Sequence, residues 1–177
     1  MRIDLICLTA FLTAAPAFSA DGGCTVPFDS AKKIVTTPAH GYSTLTSSDR
    51  PNQPHVTEII YTGGMNGTIF VKSGGRWVRS PLTPAQYLKQ EDENIRDAKT
   101  SCRYLRDESV NGEAAAVYSV HSDNGGIIGD GTVWISKARG LTLKEEMDMD
   151  TGGGPSGKSH SSERFDYSNV RPPDGVK

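Results

Sequence analysis

Positive charge is scarce in this sequence. The 19 Lys and Arg are outnumbered by 21 Asp and Glu, for a formal charge of −2, and no basic run or tail stands out. Proteins that hold nucleic acid need a cationic stripe for its phosphates, so nucleic acid is not an expected partner. Cysteine is nearly absent: Cys7, Cys24 and Cys102 are the whole complement, and none belongs to a C-x-x-C pair. The four histidines, His40, His55, His121 and His160, lack helical i, i+4 spacing. They read as surface or turn residues and not as metal ligands. No G-x-S-x-G element is present. With Cys24 and Cys102 paired, as argued below, no nucleophile is evident. An enzyme is therefore not expected, and no cofactor is implied.

Two tempting patterns fail on context. Gly152–Ser159, GGGPSGKS, satisfies the letter of the phosphate-loop motif. That chemistry needs a buried strand before the loop and a helix after it. Here the preceding strand is acidic, and the residues that follow, SHSSERFDYSN, alternate like a strand. A hairpin loop is expected, and no nucleotide. The acidic run Glu145–Asp150 lacks the glycine-centred spacing of a calcium loop, and alternation splits it over two faces. A solvated strand face is the expectation.

Long apolar stretches are also missing, except at the start. Arg2 precedes a mostly apolar segment, Ile3–Phe18, and Phe18-Ser19-Ala20 ends it in a small-x-small pattern. This reads as a secretory signal, 1–20, cleaved after Ala20, which leaves a single domain, 21–177. Asp21-Gly22-Gly23 is no lipobox ahead of Cys24. The expectation is a periplasmic, secreted protein. Two remaining cysteines in an exported chain are expected to form a disulfide, Cys24–Cys102.

What is present is short-period alternation. Asp130–Asp150 reads as two strands and a turn. Leu141, Leu143, Glu145, Met147 and Met149 share one parity, and Thr142, Lys144, Glu146, Asp148 and Asp150 the other. Before it, Phe28–Val35 is a short amphipathic helix, and Gly41–Ser47, Val56–Thr62, Thr68–Lys72 and Arg76–Arg79 are strands. Thr83-Pro84-Ala85-Gln86 opens a surface helix that runs to about Lys99. Asn111-Gly112 is a two-residue turn between Cys102–Val110 and Glu113–His121. Asp123–Gly129 reads as a loop, and His160–Asn169 as the last strand. The sum is α+β: eight or nine antiparallel strands in a curved sheet that curls over two helices.

Large apolar residues recur on alternating positions opposite charged neighbours. Trp77, Tyr118, Trp134, Met147, Met149 and Phe165 are the candidates to line an apolar cavity. The same positions suit an ordinary core between sheet and helix.

The order of elements resembles the LolA-like superfamily of periplasmic lipoprotein carriers. Gly75–Pro81, GRWVRSP, resembles its tryptophan-bearing strand before the helix. The Trp134 strand followed by Gly140-Leu141-Thr142-Leu143 is similar to its W…G-L-P-L hairpin, with Thr142 where proline is common. The resemblance implies an unclosed antiparallel half-barrel wrapped over helices, and an apolar cavity for acyl chains. The implied function is non-enzymatic: binding a hydrophobic ligand or lipoprotein acyl chain, as in outer-membrane lipoprotein sorting. This chain departs in its small strand residues Ala114 and Ala116. The alternative is a structural or protein-interaction module of the envelope, with a filled core, a protein partner and no small ligand.

Overall fold

Two antiparallel meanders share one sheet. The computed structural model describes residues 23–97 and 99–176; the segment 1–20, expected to be a secretory signal, lies outside them. The described elements are α1 (Thr25–Thr36), β1 (Ala39–Ser47), β2 (His55–Tyr61), β3 (Ile69–Ser73), β4 (Arg76–Arg79), α2 (Pro84–Asp97), β5 (Lys99–Val110), β6 (Glu113–Asn124), β7 (Ile127–Ser136), β8 (Thr142–Asp150) and β9 (Lys158–Asp166). The strand order is β4-β3-β2-β1-β9-β8-β7-β6-β5, antiparallel throughout and not closed. The expected fold class, α+β with an open curved sheet, is what the chain adopts.

The local causes are legible. At the start of α2, the Thr83 hydroxyl accepts from the Gln86 backbone N–H at 3.3 Å, and the Thr83 N–H donates to Gln86 Oε1 at 2.9 Å. This reciprocal pair satisfies two amides that the first helical turn leaves open. Asn111 and Gly112 both take positive φ, 52° and 85°, as a two-residue hairpin turn demands.

Three expectations need correction. The Asp123–Gly129 loop is a tight turn at Gly125-Gly126, with φ of 61° and 95°, so β6 and β7 continue into it. α1 begins earlier than Phe28, because Phe28 N–H already donates to Cys24 C=O at 2.9 Å and Pro27 is tolerated in a first turn. Alternation along β8 breaks at Leu143. Trp134 pairs with Lys144 but Ile135 pairs with Thr142, so Leu143 is an extra residue in the ladder. The bulge puts Leu143 against Trp134, Ala115 and Val117 on one face. It turns Thr142 to the other, where its hydroxyl meets Ser30 of α1 at 2.6 Å.

Both helices lie on one face. Ile34 and Val35 of α1 pack with Ala39, Tyr61 and Ile69, and Tyr87 and Leu88 of α2 join them. The other face has its own smaller core of Ala115, Val117, Trp134 and Leu143. Cys24, just before α1, is bonded to Cys102 on β5, 78 residues away.

α2 has an unusual path. β4 and β5 are opposite edges of the sheet, so the connection that contains α2 runs from one edge to the other. Laid flat, nine strands would span about 38 Å between those edges. A 14-residue helix covers only about 21 Å. The helix alone therefore falls short, and Ser80–Thr83 before it and the link into Lys99 after it make up the rest of the crossing. The open sheet is curved, and α2 packs on its helix-bearing face through Tyr87 and Leu88.

Candidate functional site

The six sequence candidates divide between the two faces. Strand register places Met147 opposite Gly131 and Ser161, Met149 opposite Gly129 and Ser159, and Tyr118 opposite Val133. Phe165 lies opposite Gly41 and packs with the α1 cluster. These four share the helix-bearing face. Trp134 and Trp77 are on the other. The Trp134 indole N–H donates to Glu108 Oε2 at 2.6 Å, and Lys144 Nζ sits 4.5 Å over its ring. Trp77 meets His40, with ring centroids 5.9 Å apart, and Lys72 Nζ lies 5.7 Å from its ring centroid.

On the helix-bearing face, a patch of the sheet extends along the strands beyond the residues on which the helices pack. Its floor is small: Gly129 pairs with Ser122, and Met149 and Met147 lie between Gly129 and Gly131 on one side and Ser159 and Ser161 on the other. Met147 lies over the glycines. A Cβ on Gly131 would meet its Sδ at 2.8 Å, and one on Gly129 would meet it at 3.4 Å. Around this floor stand Leu45, Met149 and Ile127, exposed by 39, 39 and 48%. Exposed apolar side chains grouped on one patch are unusual enough to need a reason. Methionine suits such a surface because its unbranched, polarisable chain adapts to many shapes. The loop reading of 123–129 hid Ile127 and Gly129. The signal that would have recovered them is the Gly125-Gly126 pair between alternating residues.

An acidic group borders the patch. Glu145 is directly opposite Glu163 and two residues from Met147. Burial pushes the Glu145 carboxyl up to about 7, and the charges of Glu163 and of Glu91 on α2 add to the shift. Glu91 is raised too, by burial and then by Asp92. Tyr87 beside them is pushed up to about 12, chiefly by burial. Among the described residues none of the three glutamates forms an ion pair. A solvated strand face describes Glu146, Asp148 and Asp150, which pair with Lys144, His160 and Lys158. It does not describe Glu145, which is partly buried on the helix-bearing face.

The opposite face is polar. His121 Nδ1 is 2.7 Å from Asp130 Oδ1, and His160 Nδ1 is 2.8 Å from Asp148 Oδ1, in one cross-strand row. A shallow cleft of about 590 Å³ runs over that row, with Arg103, Thr132 and Glu146 at its sides. Among the described residues no three metal-type side chains converge on a point. The phosphate-loop look-alike is a short 3-10 turn, Gly154–Gly157, that leads straight into strand β9. No helix follows to hold a phosphate. No described helix is long and apolar enough to cross a membrane.

No family model and no curated protein matches the chain. Among solved structures it is similar to a LolA superfamily protein from Nitrosomonas europaea, at 10% identity and a TM-score of 0.26, over 78% of this chain and 89% of that one. It is similar also to a DUF1329 family protein from Desulfovibrio piger, at 9% identity and a TM-score of 0.28, over 86% and 93%.

Proposed function

We propose that this is an exported, non-enzymatic binding protein that takes an apolar group, a lipid or lipoprotein acyl chain, onto the patch beside Met147 and Met149. The observation that carries the reading is a patch of small residues, glycine and serine, on the helix-bearing face, with Leu45, Ile127 and Met149 partly exposed around it. A chain laid there needs no reacting group, and each buried methylene contributes about 0.8 kcal/mol. The Cys24–Cys102 bond supports an oxidising compartment such as the periplasm. Tyr118 and Phe165 continue the same face. Trp77 and Trp134 serve the fold and the polar face instead.

The test uses a fluorescent apolar probe. Wild type should bind it, and Met147→Asp with Met149→Asp should abolish binding without unfolding. Trp134→Ala, on the opposite face, should lower stability and leave the affinity of the folded fraction unchanged. Absence of probe binding by folded wild type would overturn the reading.

A second reading has its own support. The space between α1 and the sheet is filled by Ile34, Val35, Ala39, Tyr61 and Ile69, each 7% exposed or less. A filled interior suits a protein-interaction module whose apolar patch seats a partner's side chains. Native mass spectrometry of protein taken from its host separates the two: acyl chains favour the first reading, a stoichiometric protein partner the second.

A further inference from the structure

We propose that Glu145, Glu163 and Glu91 form a pH-sensitive latch, which keeps α2 seated on the sheet while the cluster holds a proton and lets α2 lift when that proton leaves. The geometry has three parts. Glu145 and Glu163 are directly opposite on neighbouring strands, an arrangement that repels when both are ionised. Glu91 brings a third carboxyl from α2 itself, one helical turn beyond Tyr87, which packs on the face that bears Glu145, Glu163 and Phe165. α2 belongs to the connection that runs from edge to edge of the sheet, and it packs on this face.

Among the described residues, the other groups that face the cluster do not neutralise it. Tyr61 from β2, Tyr87 from α2 and Tyr167 after β9 are phenols that burial keeps neutral well above physiological pH. From α1, Lys32 reaches α2, but its partner is Asp92 at 2.7 Å on the exposed side. Asp29 faces Lys32 there as well. A proton on Glu145 then relieves the repulsion among the crowded carboxyls. The raised Glu145 pKa agrees with that.

Release would withdraw Tyr87 and Leu88 from the cluster that contains Tyr61 and so expose part of that face. If the patch binds an apolar chain, this would lengthen it. That consequence rests on the proposed function; the latch does not.

Amide hydrogen exchange tests it on the full mature chain. After correction for intrinsic rates, protection of α2 amides should fall by about tenfold between pH 6 and pH 8, while α1 and the central strands stay unchanged. Glu145→Gln and Glu163→Gln, which keep the shape of the protonated acid, should each flatten that pH dependence. Equal α2 protection at both pH values would overturn the latch. So would a pH response that survives in both variants, or one that loosens α1 and the sheet to the same extent. No apolar probe enters this readout, so its failure is distinct from failure of the binding reading.

Discussion

α1 and α2 rest on the same face of the same sheet, and different interactions hold each of them. α1 is pinned at its start by the Cys24–Cys102 bond, at its middle by the buried Ser30–Thr142 hydrogen bond, and at its end by Ile34 and Val35. α2 offers half-buried Tyr87 and Leu88, a buried Pro84, an exposed ion pair, and carboxyl groups turned toward other carboxyls. A cystine and a dry contact cannot be titrated away between pH 5 and 8. A contact that contains crowded glutamates can. The contrast teaches that burial on one face need not mean equal permanence, since local stability follows the groups that make each contact.

The largest effect should come from the cystine. Replacing both Cys24 and Cys102 by alanine opens a loop closed over 78 residues. The chain-entropy model puts the loss at about 4 kcal/mol. Urea unfolding of the variant, beside wild type with and without reductant, checks this. A loss under about 1 kcal/mol would show that α1 holds by packing alone.

Next come the apolar anchors. Ile34→Ala empties a site only 7% exposed and should cost about 3 kcal/mol. Leu88→Ala, half-buried on α2, should cost about 1 kcal/mol. Equal costs in denaturant melts would erase the distinction between the helices.

The pH effect is smaller. The unfolded Glu145 ionises near 4.5, whereas the folded one holds its proton to about 7. The folded state therefore binds more protons across that window. The stabilisation is fully present below about 4.5 and is lost as pH rises through 7. Thermal melts should show a lower midpoint at pH 8 than at pH 5.5, and Glu145→Gln should narrow the gap. A midpoint that climbs over this range in wild type would reverse the assignment. The smallest change is Lys32→Ala. Its pair with Asp92 is exposed, so the loss should stay within about 0.5 kcal/mol and shrink further in salt.

Much of this molecule could be read from one dimension. Alternation marks the strands, Thr83-Pro84-Ala85-Gln86 starts α2, Asn111-Gly112 turns a hairpin, and Cys24 and Cys102 find each other. Each of these signals is local or nearly so: a residue's own φ preference, a side chain that reaches the next turn, a period of two. Met147, Met149, Tyr118 and Phe165 could be nominated for one apolar face because parity is also local. What parity lacks is an absolute sign. It cannot say that the faces of β4 and β7 bearing Trp77 and Trp134 look away from the helices. It cannot see that one extra residue, Leu143, reverses the alternation it is counting. The sequence by itself determined the class of fold, the caps, the turns and the cystine. Only the tertiary structure decided which face each parity meets, that the connection containing α2 crosses from edge to edge, and that three glutamates far apart in sequence share one small space. Those outcomes depend on strand order and curvature, which arise from contacts summed over the whole sheet.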